Sequence, residues 1–198
     1  MLTTIDLLRH GLPEGGRKLR GAIDDPLSKV GWQQMWSTVD QYLENPPWQH
    51  IVCSPLIRCS QFAEKLADKA NLSYQIIPEL KEISFGVWDG KSPEEIGEKR
   101  LAEYWLDPLR YAPDQSEGIV EFNQRILNVW ANLLNNYNGQ HILLVGHGAL
   151  IRILLANVLQ MPLHAIYRIE VPFASLSRIL IQDKGEKPFS RLAFHASR

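Results

Sequence analysis

The chain has 198 residues, of which 45% are hydrophobic and 22% are charged, and its formal net charge is −1. This is ordinary globular usage, and a chain of this length buries roughly 70% of its unfolded surface. Because the net charge is close to zero, no overall field attracts nucleic acid or an anionic membrane, and an anion site would need a local group of arginines. We expect one domain over residues 1–198, with no nucleic-acid or membrane partner.

Several features of the sequence predict a cytoplasmic protein. The stretch Met1–Leu8 is too short for the apolar part of a secretory signal, and charge follows at once. No apolar run approaches the ~20 residues that cross a membrane. Cys53 and Cys59 fit a reduced compartment, and their spacing predicts two buried thiols rather than a zinc site. A homodimer is left open.

Two stretches of the chain share one pattern, in which an apolar strand ends at a histidine beside glycine. Ile5–Gly11 runs from the strand into Arg9, His10 and a glycine, and Ile142–Gly148 runs into glycine, His147 and a second glycine. Open α/β sheets bind ligands at the carboxyl ends of their strands. A histidine at a strand end is usually structural, but two such ends favour a functional site at one edge of a sheet.

The segment after the first histidine begins as a loop by composition, over residues 12–28, and its glycines and basic residues could surround an anion. A helix then follows and ends at Asn45–Pro47. Its apolar residues have the spacing of one buried stripe: Trp32, Trp36, Val39 and Leu43.

A second strand, His50–Cys53, leads into a helix that carries Arg58 near its N-terminal end. Backbone amides at a helix start, together with a guanidinium group, can bind a phosphate. Tyr74–Ile77 is predicted as a third strand. Leu80–Gly90 has no regular period and is predicted to be an irregular segment that carries the carboxylate of Glu82.

The second half of the chain continues the alternation of helices and strands. Short helical pieces are predicted over residues 92–107, a loop over 108–115, a long amphipathic helix over 116–137 and another helix over Ala149–Leu159. Ser175–Ile181 and Ser190–His195 flank a turn and predict an antiparallel edge hairpin. This order predicts an α/β fold, a three-layer αβα sandwich with a mainly parallel central sheet and an antiparallel edge strand.

The two histidines, two arginines and one carboxylate form a coherent set for phosphoryl transfer. A neutral His10 could attack phosphorus and hold the phosphoryl group covalently. Arg9, Arg58 and a protonated His147 would neutralise the phosphoryl oxygens. Glu82 could protonate the leaving alcohol and later take a proton from water. We expect no metal and no other cofactor, because the cationic side chains would do the work of a metal.

These motifs resemble those of the histidine phosphatase superfamily, the phosphoglycerate-mutase-like or branch 1 family. Leu8–Gly11 is similar to its LxRHG signature, whose histidine is the phosphorylated nucleophile, and Asp25–Gly31 resembles its D-x-P-L-T-x-x-G stretch. Ser54–Ala63 resembles the segment that supplies the second phosphate arginine. Leu80–Gly90 resembles the proton-donor segment, and Val145–Gly148 the second phosphate-pocket histidine. The resemblance implies a phosphoglycerate-mutase-like fold and a small phosphomonoester substrate.

Three details are similar to the branch that dephosphorylates α-ribazole 5′-phosphate in cobalamin nucleotide-loop assembly. They are a glycine-rich segment leading to Arg20, the run Gly31–Met35, and Glu117-Gly118 set seven residues before Arg125. The resemblance therefore implies α-ribazole 5′-phosphate as substrate. The alternatives are a phosphatase or mutase of the same fold that acts on phosphoglycerate or sugar phosphates, and a non-catalytic module that binds phosphorylated ligands. The chain is shorter than the mutases, which favours net hydrolysis.

Further substrate contacts are less well defined by the sequence. Arg20 and Gly148 are candidate contacts, although a loop arginine such as Arg20 is as commonly solvated. Many relatives carry an asparagine after the RHG motif that touches the phosphate. Gly15-Gly16 occupies that region here, so backbone amides replace the contact or it is lost. Three aromatic residues could cover a heteroaromatic base or simply pack: Tyr104, Trp105 and Tyr111.

Overall fold

The computed structural model describes residues 1–182 and 188–197, and a six-stranded sheet lies at its centre. The strands are β1 (Leu2–Arg9), β2 (His50–Cys53), β3 (Ser73–Ile76), β4 (His141–Gly146), β5 (Leu176–Gln182) and β6 (Phe189–Ser197). Their order in the sheet is β3-β2-β4-β1-β5-β6. The first four are mutually parallel, whereas β5 runs antiparallel to both β1 and β6. The predicted α/β class and mainly parallel sheet are confirmed.

In the described ranges, six α-helices surround the sheet in two layers. They are α1 (Lys29–Val39), α2 (Ile57–Ala70), α3 (Pro93–Ile96), α4 (Glu98–Leu106), α5 (Ile119–Asn136) and α6 (Gly148–Val158). Helices α1 and α2 pack on one face of the sheet, and α4, α5 and α6 pack on the other. The α3 residue Ile96 joins the second of these cores. Within the described residues, no helix is both long enough and apolar enough to cross a membrane.

Strand β4 shows why the sheet is covered on both faces. Ile142 and Leu144 belong to the core under α5 and α6, whereas Leu143 and Val145 belong to the core under α1 and α2. Successive side chains of a strand point to opposite faces, so a continuous apolar run is stable only between two layers. The uninterrupted apolar sequence of this strand therefore accounts for the three-layer architecture.

Two predicted elements differ in detail from the structure. The buried side of α1 is formed by Met35, Thr38 and Val39, while Trp32 and Trp36 are half-buried at its flank against Phe62. The predicted hairpin of β5 and β6 is present, but β5 lies inside the sheet because it pairs with β1, and β6 alone forms that edge. Its predicted turn falls largely outside the described residues.

The register of the sheet brings the two histidine-bearing strand ends together. Strands β1 and β4 are parallel neighbours with Arg9 opposite Gly146, and the His10 amide donates a hydrogen bond of 3.0 Å to the Gly146 carbonyl. Strand β2 is the other neighbour of β4 and leads directly into α2, which carries Arg58 in its first turn. Three strand ends therefore place their following residues at one edge.

Candidate active site

A cavity of about 210 Å³ lies at the carboxyl ends of these strands. Six of the seven residues predicted for the site line this cavity: Arg9, His10, Arg20, Arg58, Glu82 and Gly148. The seventh, His147, does not line the cavity but lies buried against His10, with the two ring centroids 5.2 Å apart. The sequence motifs therefore converge on one site, with one histidine at the surface of the cavity and one behind it.

His10 has a defined tautomer. Its Nδ1 lies 2.8 Å from the carbonyl oxygen of Gly11. A carbonyl oxygen can only accept, so Nδ1 carries the hydrogen and the Nε2 lone pair is left free. Burial, followed by the charges of Arg9 and Arg58, holds the pKa of His10 well below the usual value of 6.5. A neutral imidazole with a free lone pair is the form that attacks an electrophile.

Arg9 is half-buried, and its Nε lacks a hydrogen-bond partner in the described part of the chain. One terminal nitrogen donates to the Val171 carbonyl, and the guanidinium carbon lies 4.1 Å from the centroid of the Phe173 ring. Within the described residues, the buried Arg9 Nε has no acceptor. Burial and the nearby charge of Arg152 lower the pKa of Arg9 to about 10, so the group stays charged at neutral pH.

Arg58 repeats this arrangement from the first turn of α2. Its terminal nitrogens donate to the carbonyls of Ile23, at 2.6 Å, and Gly21, at 3.1 Å. Its Nε is also buried and unpaired among the residues that the structure describes. A buried donor without an acceptor costs roughly 1–3 kcal/mol, and an oxyanion bound between the two arginines would remove that cost.

His147 precedes the first turn of α6 and has two polar neighbours. Its Nε2 lies 2.7 Å from the Ser54 hydroxyl and 3.6 Å from the thiol sulfur of Cys59. Both cysteines of the chain are buried and free, as predicted. We expected a protonated His147, but burial and the charge of Arg58 lower its pKa well below 6.5, which makes the neutral form the stable one here.

Glu82 lies in the irregular segment that the sequence predicted, and its carboxylate is held near the start of α6. One oxygen accepts from the amide of Ala149 at 3.1 Å, and the other accepts from the amide of Ile83 at 3.2 Å. These two hydrogen bonds orient the carboxyl group relative to α6. The side chain is half-buried and lines the same cavity as His10.

Arg20 lines the cavity, but the N–H groups of its side chain bind the loop formed by residues 14–18. Its Nε donates to Asp25 at 3.0 Å, and its terminal nitrogens donate to the carbonyls of Glu14, Gly16 and Lys18. Neither Gly15 nor Gly16 lines the cavity, so the absent asparagine is not replaced by their amides. Arg20 therefore holds this loop, and its direct contact with substrate stays a prediction.

Gly148 leaves room beside the backbone for two arginine side chains. A Cβ atom at this position would lie 2.9 Å from an Arg152 terminal nitrogen and 3.4 Å from the Arg9 guanidinium carbon. Arg152, which also lines the cavity, follows Gly148 by four residues and therefore lies on the same face of α6. The sequence analysis missed Arg152, although this i, i+4 spacing from the second histidine motif was a usable signal.

The remaining wall of the cavity is aromatic. Of the three predicted aromatic residues, Trp105 lines the cavity, whereas Tyr104 is buried behind it and hydrogen-bonds the Tyr167 hydroxyl at 3.0 Å. Tyr111 does not line the cavity. Three further aromatic residues line the cavity and were not predicted: Phe85, Tyr167 and Phe173. Phe85 lies in the segment that carries Glu82, whereas Tyr167 and Phe173 lie outside every recognised motif.

No group of three or more metal-ligating side chains occurs in the described parts of the chain. The cavity instead holds the guanidinium groups of Arg9, Arg58 and Arg152, with Glu82 as its carboxylate. A neutral imidazole beside guanidinium groups and a carboxylate suits transfer of an anionic group to nitrogen.

Comparison with known proteins agrees with this chemistry. The chain matches the histidine phosphatase superfamily (branch 1) over residues 5–191. It is 30% identical over 184 residues to the probable phosphoglycerate mutase GpmB of Yersinia pestis, a match that covers 89% of this chain and 84% of that protein.

Solved structures with the same fold include two phosphatases. A mycobacterial glucosyl-3-phosphoglycerate phosphatase in complex with VO3 aligns with a TM-score of 0.85 and 26% identity, over 98% of this chain and 99% of that one. A proposed α-ribazole-5′-P phosphatase from Escherichia coli aligns with a TM-score of 0.83 and 27% identity, over 99% and 97%. The chain belongs to the histidine phosphatase superfamily, branch 1, and is a histidine-dependent phosphatase.

Proposed function

We propose that the protein hydrolyses a small phosphomonoester through a phosphohistidine at His10. One observation carries this proposal: the cavity combines the free Nε2 lone pair of His10 with two arginines, each with a buried Nε that has no acceptor among the described residues. A phosphoryl group bound between Arg9 and Arg58 would supply the missing acceptors. It would also present phosphorus to the imidazole.

The first half-reaction forms a bond between His10 Nε2 and phosphorus and breaks the bond between phosphorus and the ester oxygen. Glu82, in its protonated form, gives its proton to the departing alcohol oxygen. In the second half-reaction Glu82 removes a proton from water, whose oxygen attacks phosphorus. The N–P bond breaks, inorganic phosphate leaves and neutral His10 is restored.

His147 has a supporting role in this scheme. It packs edge-on against His10 and is neutral before substrate binds. A bound phosphoryl group adds negative charge close to both rings, and nearby negative charge raises the pKa of a histidine. His147 therefore becomes protonated as the phosphoryl group arrives and stabilises the charge of the transition state.

For the substrate itself we propose α-ribazole 5′-phosphate as the first candidate. Trp105 and Tyr167 in the cavity wall support it, because an aromatic wall can stack on a planar base. The Escherichia coli neighbour with this proposed activity supports it as well. The expected preference over other esters is at least about tenfold in kcat/KM, which requires only ~1.4 kcal/mol.

A phosphorylated carboxylic acid such as 3-phosphoglycerate is the second candidate. The cavity of about 210 Å³ is below the ~300–1,000 Å³ common for larger ligands. In addition, when Glu82 is protonated, the charges of Arg9, Arg58 and Arg152 exceed the two charges of a phosphoryl dianion. The surplus positive charge favours a substrate with a further anionic group.

Steady-state kinetics on α-ribazole 5′-phosphate, 3-phosphoglycerate and glucose 6-phosphate separates these candidates. The first candidate predicts the highest kcat/KM for α-ribazole 5′-phosphate and a selective loss of that preference in Trp105→Leu. The second predicts the highest value for 3-phosphoglycerate and a selective loss in Arg152→Met. Hydrolysis of none of the three by an enzyme that cleaves p-nitrophenyl phosphate would reject both candidates.

A further inference from the structure

The segment that carries Glu82 is anchored in the core by the buried side chains of Leu80 and Ile83 and receives further support from outside itself. A short 3-10 turn ends at Leu80, and residues 81–85 belong to no helix or strand. The two hydrogen bonds of the Glu82 carboxylate orient its oxygens. They do not fix the backbone from which the side chain extends, so the position of the carboxylate depends on what holds residues 79–84.

Arg125 in α5 holds the N-terminal side of this segment. One of its terminal nitrogens donates to the backbone carbonyls of Glu79 and Lys81, the latter at 3.1 Å. Its other two nitrogens donate to the two carboxylate oxygens of Glu117 at 2.8 and 2.6 Å. This bidentate ion pair fixes the plane of the guanidinium group, which also lies 4.9 Å from the centroid of the Phe122 ring.

Glu117 holds the C-terminal side of the same segment. Its backbone amide donates to the Ser84 carbonyl at 3.0 Å, while its carboxylate binds Arg125. The two residues thus contact the chain at Lys81, directly before Glu82, and at Ser84, two residues after it. Both belong to the start of α5 or the loop before it, and α5 is anchored in the core through Phe122 and Ile126.

We propose that the Glu117–Arg125 ion pair is a positioning device that fixes the backbone around Glu82 and so aims its carboxyl group at the leaving oxygen of the substrate. This inference rests on the proposed role of Glu82 as proton donor. Glu117 and Arg125 are positioning residues, because neither lines the cavity that holds His10. Their effect reaches the reaction through the backbone of one segment.

Proton transfer is sensitive to such positioning. A general acid must lie within about 2.6–3.2 Å of the atom that it protonates, and a displacement of about 1 Å can cost about 100-fold in rate. The cost falls only on substrates whose leaving group needs the proton. An alkyl phosphate needs it, whereas p-nitrophenolate leaves readily without it.

The test measures the rate of enzyme phosphorylation under single-turnover conditions. The rate is followed as release of glycerol from glycerol 3-phosphate and of p-nitrophenol from p-nitrophenyl phosphate. Arg125→Lys keeps the positive charge but loses the planar fork, Arg125→Met loses both, and Glu117→Gln loses the carboxylate charge. Arg100→Met, at an exposed arginine of α4, is the matched control.

We expect the three variants of Arg125 and Glu117 to slow release from the alkyl ester by about tenfold or more, and release from the nitrophenyl ester by less than about threefold. Arg100→Met changes neither.

Two outcomes would overturn the inference. One is an equal loss on both esters in folded Arg125 and Glu117 variants, which marks a general structural defect. The other is an Arg125→Lys enzyme with wild-type rates beside an impaired Arg125→Met, which marks an effect of charge. If Arg125→Met does not fold, Glu117→Gln and Arg125→Lys, checked by thermal unfolding, carry the test.

Glu82→Gln separates failure of this inference from failure of the proposed function. If Glu82→Gln shows the leaving-group selectivity and the Arg125 variants do not, the positioning role alone is wrong. If Glu82→Gln itself slows both esters equally, Glu82 is not the proton donor. The double variant Glu82→Gln/Arg125→Met should release alcohol from glycerol 3-phosphate less than about twofold more slowly than Glu82→Gln alone, because both substitutions act on one step.

Discussion

The two histidine-bearing strand ends are alike in sequence and differ in structure. His10 and His147 follow neighbouring parallel strands, both are buried, and burial lowers the pKa of both. His10 lines the cavity, and its Nδ1 is bound to a carbonyl that leaves Nε2 free. The Nε2 of His147 is instead 2.7 Å from the Ser54 hydroxyl, and the ring does not line the cavity.

This difference shows that a shared motif does not define a shared role. In both strands the apolar run fixes where the histidine lies, but the local partner decides which nitrogen is available. Gly11 follows His10 directly and supplies its carbonyl, whereas Ser54 reaches His147 from the end of β2. We therefore propose covalent chemistry for His10 and electrostatic support for His147.

Removal of the His10 ring should have the largest effect. We expect His10→Ala to lower kcat for p-nitrophenyl phosphate by about 10⁴-fold or more, because it removes the imidazole that is proposed to accept the phosphoryl group. His164→Ala, an exposed histidine after α6, serves as the control and should be unaffected. A His10→Ala enzyme that keeps most of its turnover would disprove the nucleophile assignment.

Removal of the His147 ring should cost less. His147→Asn should lower kcat by about 10²–10³-fold, the range for loss of one group that stabilises transition-state charge. The variant should still form phosphoenzyme, only more slowly. If His147→Asn were as inactive as His10→Ala and formed no phosphoenzyme, the two histidines would not have the distinct roles proposed here.

The two histidines should affect the pH dependence of the free energy of unfolding in the same way. Each has a pKa below 6.5 in the folded protein, so the unfolded chain takes up the protons first as the pH falls. The free energy of unfolding should therefore decrease below about pH 6.5, by up to about 1 kcal/mol per pH unit for each histidine. Urea unfolding between pH 8 and 5.5 measures this slope. It should be shallower in both His10→Asn and His147→Asn, and an unchanged slope in either variant would contradict the assignment.

Chelation should have the smallest effect, because neither histidine is proposed to bind a metal. Turnover of p-nitrophenyl phosphate in excess EDTA should match turnover in untreated buffer within about twofold. Arg9 and Arg58 supply the positive charge in the proposed mechanism. Loss of activity in EDTA, restored by one divalent ion, would show that a metal binds at or near the site.

The fold and most of the site could be predicted because the residue patterns that define them lie within short, continuous stretches of the sequence. The run before Arg9 is apolar apart from Asp6, the run before His147 is apolar up to Gly146, and each ends abruptly at the functional residue. Placing those ends at one sheet edge needs only the α/β architecture. Glu82 is a different case: no regular period surrounds it, and its acid role was predicted from the chemistry of the whole residue set and from the family resemblance.

The parts that could not be predicted depend on distant contacts. Phe173 and Tyr167 reach the cavity from the segment between α6 and β5, which is bound to the end of β1 through the Arg9 side chain at Val171 and through the His10 carbonyl at Ala174. Arg20 lies in a loop whose glycines and basic residues predict a substrate contact. The backbone carbonyls that bind its side chain are brought together only when the loop folds, so the sequence does not show them. The periodicity of α1 placed Trp32 in the buried stripe, but the large core residue on that side is Met35.

Direct identification of the phosphorylated residue tests the central claim most sharply. The wild-type enzyme and His147→Asn would be mixed with p-nitrophenyl phosphate, quenched without acid, digested and analysed by mass spectrometry. The account predicts one phosphohistidine, at His10 in both proteins, and none in His10→Ala. A phosphoryl group on His147, or steady turnover with no phosphohistidine at any time, would contradict it.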